Sequence, residues 1–304
     1  MKNRKFKDLS TSNKAFYAFN AILWIAMLFI TIYPLYLIVI ASISDPDLVA
    51  TGQVTWRPVD VSFIGYKSIF QNTELWMSYA NSLFYTVAHI AISVSITLAG
   101  AYTMSRRVFP GKKIINLYLV ITMFINGGLI PTFLIMRDLG LYNTRWIIIL
   151  TGCVSVWNLM VARTYIQTTI PEELYEAARL DGASHFQFFR MVVLPLSKTI
   201  MAVLSIYYGV AKWNNYFDGL VYIKDRAKLP LQTVLREILA VLSSTAGDSM
   251  LDSEMALESV EQAMRIANSV KYCAIVVATV PIVALYILLQ KYFEKGIMIG
   301  SLKG

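Results

Sequence analysis

The stretch Ile170–Leu196 reads IPEELYEAARLDGASHFQFFRMVVLPL. Four acids (Glu172, Glu173, Glu176, Asp181) and three bases (Arg179, His185, Arg190) surround the pair Ala177-Ala178. The segment is too polar to lie in a bilayer and too regular for a plain loop, and apolar runs of membrane length flank it. It reads as a knob presented to water at a membrane surface and held there by the rest of the chain. Its local grammar is helix, turn, helix. Pro171 suits the first position of a helix, and Glu172 and Glu173 complement the positive end of the helix dipole. Leu174, Ala177, Ala178 and Asp181 recur at three- and four-residue spacing and share a face. Gly182 can end the helix in the left-handed region. Ser184 can cap a second short helix carrying Phe186, Phe188 and Phe189. The small side chains of Ala177 and Ala178 permit close approach by another surface. A docking knob and an interfacial connector between two spans both fit this pattern.

Composition supports the membrane setting. The chain of 304 residues is 57% hydrophobic, only 15% charged, and has a mean hydropathy of +0.56. Soluble domains carry about 25% charged residues, and here the charges cluster, leaving long charge-free runs. The net charge of +8 sits in short loops beside apolar spans, so topology and lipid headgroups account for it without nucleic acid as a partner. Cys153 and Cys273 fall inside expected spans with no ligand-like neighbours, and read as small apolar core residues.

Outward from the knob, the hydropathy pattern predicts an all-α polytopic membrane protein with six transmembrane helices. They fall at about 17–41, 79–104, 114–136, 145–165, 194–222 and 272–290 within a transmembrane domain over 17–293, with the knob at 170–193. Residues 1–16 form a basic N-terminal segment and 294–304 a tail. The charge-free run from Ala15 to Ser44 is too long for a signal-peptide core and reads as an uncleaved first span, with Pro34 as a kink. On the second span Ala91, Ser95, Ala99 and Thr103 recur every fourth residue, a pattern that lets helices approach closely in lipid. Bundle packing and a subunit interface both fit that stripe. The third span is interrupted by Asn126-Gly127-Gly128 and Pro131, as expected where backbone lines a cavity or is covered by protein. Arg145 and Arg163 close the fourth span. The fifth ends in Trp213, Asn214, Asn215 and Tyr216, between Lys212 and Asp218. These aromatic and amide groups suit a sugar along a translocation path, and equally suit an interfacial aromatic belt. Lys198 and Lys212 are expected to snorkel to water.

Positive residues then orient the chain. An even span count puts Lys2, Arg4, Lys5, Lys7, Lys14, Arg106, Arg107, Lys112, Lys113, Arg163, Arg179, Arg190, Lys198, Lys291, Lys295 and Lys303 on one side. The two shorter loops opposite hold Arg57, Lys67, Arg137 and Arg145; the long last loop adds Lys224, Arg226, Lys228, Arg236, Arg265 and Lys271, diluted by seven acids, and long loops count for less. Both termini and the knob are thereby expected in the cytoplasm. The chain carries no phosphate-binding loop, no H-E-x-x-H and no G-x-S-x-G elbow. With two histidines in all, no catalytic or metal site is expected, and His89 reads as a hydrogen-bonding residue of the bundle. Mid-membrane carboxylate or histidine relays of the kind a proton-coupled carrier uses are nearly missing. Any uphill transport would therefore draw its energy from another chain.

The segment EAARLDGASHFQFFRMVVLPL, Glu176 to Leu196, closely resembles the EAA loop of ABC-importer permeases: E-A-A, then Asp-Gly-Ala, then an apolar run ending in Leu-Pro. The tail KGIMIGSLKG, Lys295 to Gly304, resembles the ending of carbohydrate-uptake permeases of the maltose type. NGGLIPTFLIMRDLGLYNT (Asn126–Thr144) and VATVPIVALYILLQKYF (Val277–Phe293) look like the oligosaccharide branch of that group in Gram-positive bacteria. The resemblance implies a type I importer permease in a bacterial cell membrane, carrying a sugar and working with two cytoplasmic ATPase subunits. It also implies a second permease, of a different chain, and an extracytoplasmic sugar-binding protein. ATP and Mg would be bound by the ATPases, with no cofactor on this chain. By motif match, Glu176, Ala177, Ala178, Asp181 and Gly182 would carry the coupling, with Leu174 on the same face. Glu176 would contact the ATPase or brace the knob. A permease for a non-sugar solute and a self-sufficient carrier or channel are the alternatives.

Overall fold

The computed structural model describes residues 11–245 and 270–292. The basic start, the loop beyond 245 and the glycine-rich tail lie outside these residues. Every regular element among the described residues is helical, and the chain divides into two compact units. One comprises residues 1–71 and 239–277, the other 72–238 and 278–304.

In the first unit, α1 (Thr11–Ser42) runs continuously through Pro34. At 1.5 Å per residue it is about 48 Å long, more than the ~30 Å of a bilayer's hydrocarbon core. It exposes Ile22, Trp24, Ile25 and Ile30 by 64–71%, which only lipid or another protein surface would accept. The short helices α2 (Pro46–Ala50) and α3 (Ile64–Gln71) follow. Asp45 caps α2 by accepting from the Asp47 amide. Tyr36 donates to the Trp56 carbonyl at 2.6 Å, and Phe29, Tyr33 and Trp56 cluster at 5.0–5.9 Å.

The second unit is built on α4 (Thr73–Ser105), capped by Asn72. Then come α5 (Lys112–Phe124) and α6 (Leu129–Asp138), bent by 114° at the Asn126-Gly127-Gly128 break. Next are α7 (Arg145–Leu150) and α8 (Val156–Thr169). The knob contains α9 (Glu172–Leu180), α10 (His185–Phe188), a π-helical turn (Phe189–Val193) and α11 (Leu194–Leu196). It bends by 78° into α12 (Lys198–Trp213). After α13 (Phe217–Tyr222) and a 3₁₀ turn at Arg226–Lys228 come α14 (Leu231–Thr245) and α15, residues Val270–Tyr292; residues 239–245 of α14 and 270–277 of α15 fall within the range of the first unit.

Three described helices, α1, α4 and α15, are long and apolar enough to cross a membrane, or five segments if each bent pair counts as one span. The continuous span expected over about 145–165 is instead two helices separated by residues 151–155, with Gly152 at φ +78°. Arg163, expected at its end, is part-buried and donates to the Asn116 side chain at 2.8 Å. The stretch expected as one span over 194–222 is likewise three helices.

These breaks leave backbone groups that helices would otherwise pair, and unpaired groups are costly away from water. One polar seam along α4 meets many of them. Asn81 donates to the Ala227 and Leu229 carbonyls at 2.8 and 3.2 Å, and Tyr85 to the Lys228 carbonyl at 2.9 Å. Ser82 accepts from the Leu231 amide at 2.7 Å. His89 Nδ1 lies 2.7 Å from the Ile149 carbonyl, and a carbonyl only accepts, so the proton sits on Nδ1. At the α7–α8 break the Ser155 amide donates to the Tyr208 hydroxyl, which in turn pairs with Thr97 at 2.7 Å. Below the seam, Leu98, Ala101 and Tyr102 pack with Ala162, Ile166, Phe188, Val193 and Leu204 into one core. The stripe of Ala91, Ser95, Ala99 and Thr103 faces outward, away from that core.

At the end of the unit opposite the knob, Asn143 (φ +58°) donates from its amide to the Tyr222 carbonyl. Its side-chain oxygen accepts from the Lys224 and Asp225 amides at 3.0 Å each. Lys228 at 3.2 Å and the Ala227 amide hold the Asp225 carboxyl below the usual carboxylate range. Replacing Asn81 by Leu strands the buried Leu229 carbonyl and the part-buried one of Ala227. It should cost about 1–3 kcal/mol, read as a lower unfolding midpoint of the purified chain in detergent, whereas Ser95→Ala on the outward face should leave the midpoint unchanged.

Candidate functional site

The knob is closed by a turn that requires glycine. The Gly182 amide donates to the Arg179 carbonyl at 3.0 Å and the Ala183 amide to the Ala178 carbonyl at 2.9 Å. This is the paired bonding of a Schellman ending, with Gly182 at φ +79°. Nothing lies within 4 Å of where a Cβ would stand on Gly182, so the constraint is the backbone conformation and not space. Ser184 then starts α10 with a capping box. Its hydroxyl accepts from the Gln187 amide, while the Gln187 side chain accepts from the Ser184 amide at 2.7 Å. The Gly182 ending and the Ser184 cap were read from the sequence; the reciprocal Gln187 contact was not. Pro171 differs slightly: it occupies the cap position, and α9 begins at Glu172.

The two faces of α9 are also resolved. Tyr175 and Ala178 turn inward and pack on the α4–α8–α12 core. Leu174, Glu176, Ala177, Leu180 and Asp181 are exposed, Leu180 by 89% and Leu174 by 45%. Across the turn Phe186 and Met191 are exposed by 70% and 74%. The face expected from spacing alone therefore loses Ala178 to the interior and gains Leu180 and Glu176. The acid that braces the knob is Glu172, not Glu176. Its carboxylate lies 3.6 Å from the buried guanidinium of Arg106, the residue that caps α4. That guanidinium is boxed by the rings of Tyr102, Tyr175 and Phe188 at 4.9–5.9 Å. His185 stacks on Tyr175 and approaches the Tyr102 hydroxyl at 3.1 Å. Arg106 entered the sequence reading only as a topological charge, and Tyr102 not at all. The available signal was a cation at the end of an apolar helix together with aromatic residues in a polar segment.

The residues expected along a solute path lie in a different setting. Trp213 is 2% exposed, stacks edge-on against Tyr79 and donates from its indole to the Ala278 carbonyl at 2.9 Å. Asn215 bonds Asp218 twice, through its Nδ2 at 2.8 Å and by accepting the Asp218 amide at 3.0 Å. Tyr216 carries the Arg236 guanidinium at 4.0 Å on its ring, and its carbonyl accepts from Thr233. Asn214 alone of the four is exposed. Lys212 does not snorkel. It is 7% exposed, donates to the Thr151 carbonyl at 2.7 Å and pairs with Asp218 at 3.3 Å. A Cβ on Gly219 would fall on Thr233 Oγ1 and Pro230, so that glycine is what lets α13 and the start of α14 meet. The cluster ties α12 and α13 to the α7–α8 break.

With this geometry in view, known proteins give a direct comparison. The family profile described as "Binding-protein-dependent transport system inner membrane component" matches residues 15–299. The chain belongs to this family. The permease is 36% identical over 277 residues to Protein LplC of Bacillus subtilis, covering 90% of each chain. It is 35% identical over 304 residues to the polygalacturonan/rhamnogalacturonan transport system permease protein YtcP of the same organism, covering all of both chains. Among solved structures it resembles a chain of a bacterial ABC transporter involved in the import of the acidic polysaccharide alginate. That match has a TM-score of 0.81 and 31% identity over 94% of this chain and 99% of that one. The permease is therefore a component of membrane transport and not an enzyme, and it works as one part of a binding-protein-dependent system.

Two substitutions test the site's supports. Gly182→Ala forces a Cβ into the left-handed region at about 1–2 kcal/mol, and should lower the unfolding midpoint by a few degrees while leaving the far-ultraviolet helix signal intact. Lys212→Met strands the buried Asp218 carboxylate and should cost about 3–5 kcal/mol, whereas Lys212→Met with Asp218→Leu should recover part of that loss. Equal losses in the single and double variants would contradict the ion pair.

Proposed function

We propose that this permease subunit forms part of the path for a sugar, an oligosaccharide, in an ATP-driven importer, and that its knob is the docking element for a cytoplasmic ATPase subunit. The observation that carries the reading is the outward face of the knob. Leu174, Ala177 and Leu180 form an apolar strip bordered by Glu176 and Asp181, projecting from a turn fixed by Gly182. Apolar side chains this exposed on a charged helix fit a groove on another protein better than water. Glu176, exposed at the edge of the strip, is placed to accept a charge-assisted hydrogen bond from such a groove.

The remaining partners follow from that role. A second permease of a different chain, two ATPase subunits holding ATP and Mg, and an extracytoplasmic sugar-binding protein complete the assembly. The outward stripe Ala91, Ser95, Ala99 and Thr103 is available to another helix at close range. The charge asymmetry supports placing both termini and the knob in the cytoplasm. The sugar class is supported by the names of the relatives, among them the polygalacturonan/rhamnogalacturonan permease and the alginate importer, and also a melibiose/raffinose/stachyose import permease of Bacillus subtilis at 28% identity over 251 residues. Because two of these names concern acidic polysaccharides, oligogalacturonides are the first solutes to try and raffinose the neutral control.

The test is capture of candidate ATPase subunits by the tagged permease, coexpressed with its partner permease. Wild type should retain the ATPases. Leu180→Glu and Gly182→Asp should reduce capture about tenfold or more, as loss of a central contact of at least 1.4 kcal/mol would do. Full capture by both variants, with ATP-dependent uptake undiminished, would overturn the docking assignment.

A further inference from the structure

We propose that Arg106 and Glu172 form a latch that makes the knob move as one body with α4, so that displacement of the knob is passed to the far end of that helix. The inference rests on the docking role proposed above. Two parts of the structure carry it. At the knob end, the side chain of Arg106 is 9% exposed although it carries a full charge, and its only carboxylate partner among the described residues is the 20% exposed Glu172 at the start of α9. Three aromatic faces close over the guanidinium: Tyr102 from α4, Tyr175 from α9 and Phe188 from α10. One cation therefore contacts all three helices that meet there. A buried guanidinium leaves such a box only by losing its counter-charge and its ring contacts together, so the joint has one low-energy arrangement. The backbone of the same residue is also fixed: the Arg106 carbonyl accepts from Lys112 Nζ at 2.8 Å, and the Ser105 carbonyl from Gln167 at 3.2 Å.

Farther back along α4, about 32–38 Å from Arg106 at 1.5 Å per residue, the helix is tied again. Asn81 and Tyr85 hold the carbonyls of residues 227–229. Between the two ties α4 has no break. A continuous helix latched to the knob at one terminus and to the 227–229 turn near the other is a rod, and a rod transmits displacement that a hinged connection would absorb. Arg106 thus acts through Glu172 and α4. It is a positioning residue and not part of the docking face.

The experiment uses the complete complex in lipid nanodiscs, with spin labels at Arg179→Cys on the knob and at Ile96→Cys, an exposed position of α4 outside the small-residue stripe. The two native cysteines are buried. Distances are read by pulsed electron resonance with ADP and with ATP plus vanadate, and ATPase capture is measured on the same preparations. In the wild-type background the label distance should be a single narrow distribution, the same in both nucleotide states. Arg106→Gln should retain ATPase capture while widening the distribution and making it nucleotide-dependent. Glu172→Gln should do the same more weakly. Arg106→Lys, which keeps the charge, and the swap Arg106→Glu with Glu172→Arg should both restore much of the narrow distribution. Coupling through such a joint is expected to change by about two- to thirtyfold, seen as less solute taken up per ATP hydrolysed in Arg106→Gln than in wild type. If wild type fails to capture an ATPase, the docking reading falls and the latch with it. If wild type captures one, and Arg106→Gln and Glu172→Gln both show the wild-type distances in both states, the latch alone is overturned. Should Arg106→Gln fail to assemble, Glu172→Gln decides on the same criterion.

Discussion

A helix broken inside a bilayer must find partners for its freed amides and carbonyls within the protein, because no water is there to supply them. This chain breaks its helices repeatedly, after Phe124, after Leu150, after Trp213 and after Tyr222. The constraint is met largely by two helices that stay whole, α4 and α12. His89 and Tyr208 serve the gap between α7 and α8, Lys212 reaches the Thr151 carbonyl, and Asn81, Ser82 and Tyr85 hold the turn before α14. Asn81, Ser82, Tyr85 and His89 of α4 are therefore structural in a specific sense: each is matched to an irregularity elsewhere. A more apolar α4 would be a better membrane helix in isolation and a worse scaffold for this fold.

The knob extends the same logic to the membrane surface. It is tied inward through Arg106, Glu172 and the aromatic box, and it leaves its apolar strip outward. The two halves of α9 oppose each other in chemistry. Tyr175 and Ala178 complete the core, while Leu174, Ala177 and Leu180 remain uncovered. A mere connector between spans would have reason to bury its leucines against the bundle or the lipid interface. Instead, rigidity is concentrated on the inner side of the helix and the unsatisfied apolar area on the outer side, which is the division of labour a docking element needs.

The sequence made some of this legible and hid the rest for physical reasons. Local signals were readable because their geometry is local: the Gly182 turn, the Ser184 capping box, the Asn-Gly-Gly break and the helical character of the apolar runs all depend on neighbours within a few positions. Arg106 was counted as a surface charge because its partners are 66 and more positions away in Glu172, Tyr175 and Phe188, and composition gives no hint of a long-range pair. Lys212 and Asp218 are six apart, a spacing that puts them on different faces of a continuous helix. They meet only because the chain turns at Asn214. The same turn explains why Trp213 and Asn215 looked like an exposed aromatic and amide cluster when they are part of the interior. Hydropathy also merged α7 and α8 into one span, since averaging over Thr151–Ser155 cannot register that Gly152 takes a left-handed backbone.

That last correction bears on where a hydroxyl-rich solute would travel. A sugar needs hydrogen-bonding groups that are free to exchange partners. Along α4 and α12 the buried side chains of Asn81, Tyr85, His89, Thr97, Tyr208 and Lys212 are already bonded to this chain's own backbone or to one another, and drawing them toward a passing solute would reopen the helix breaks they close. Trp213 and Asn215 are committed in the same way. Three hydroxyls on α4, those of Ser78, Thr86 and Ser93, are buried without a hydrogen-bond partner among the described residues, and Asn214 is exposed. These polar groups can take a new partner without reopening a helix break, which sets them apart from the committed residues of the seam.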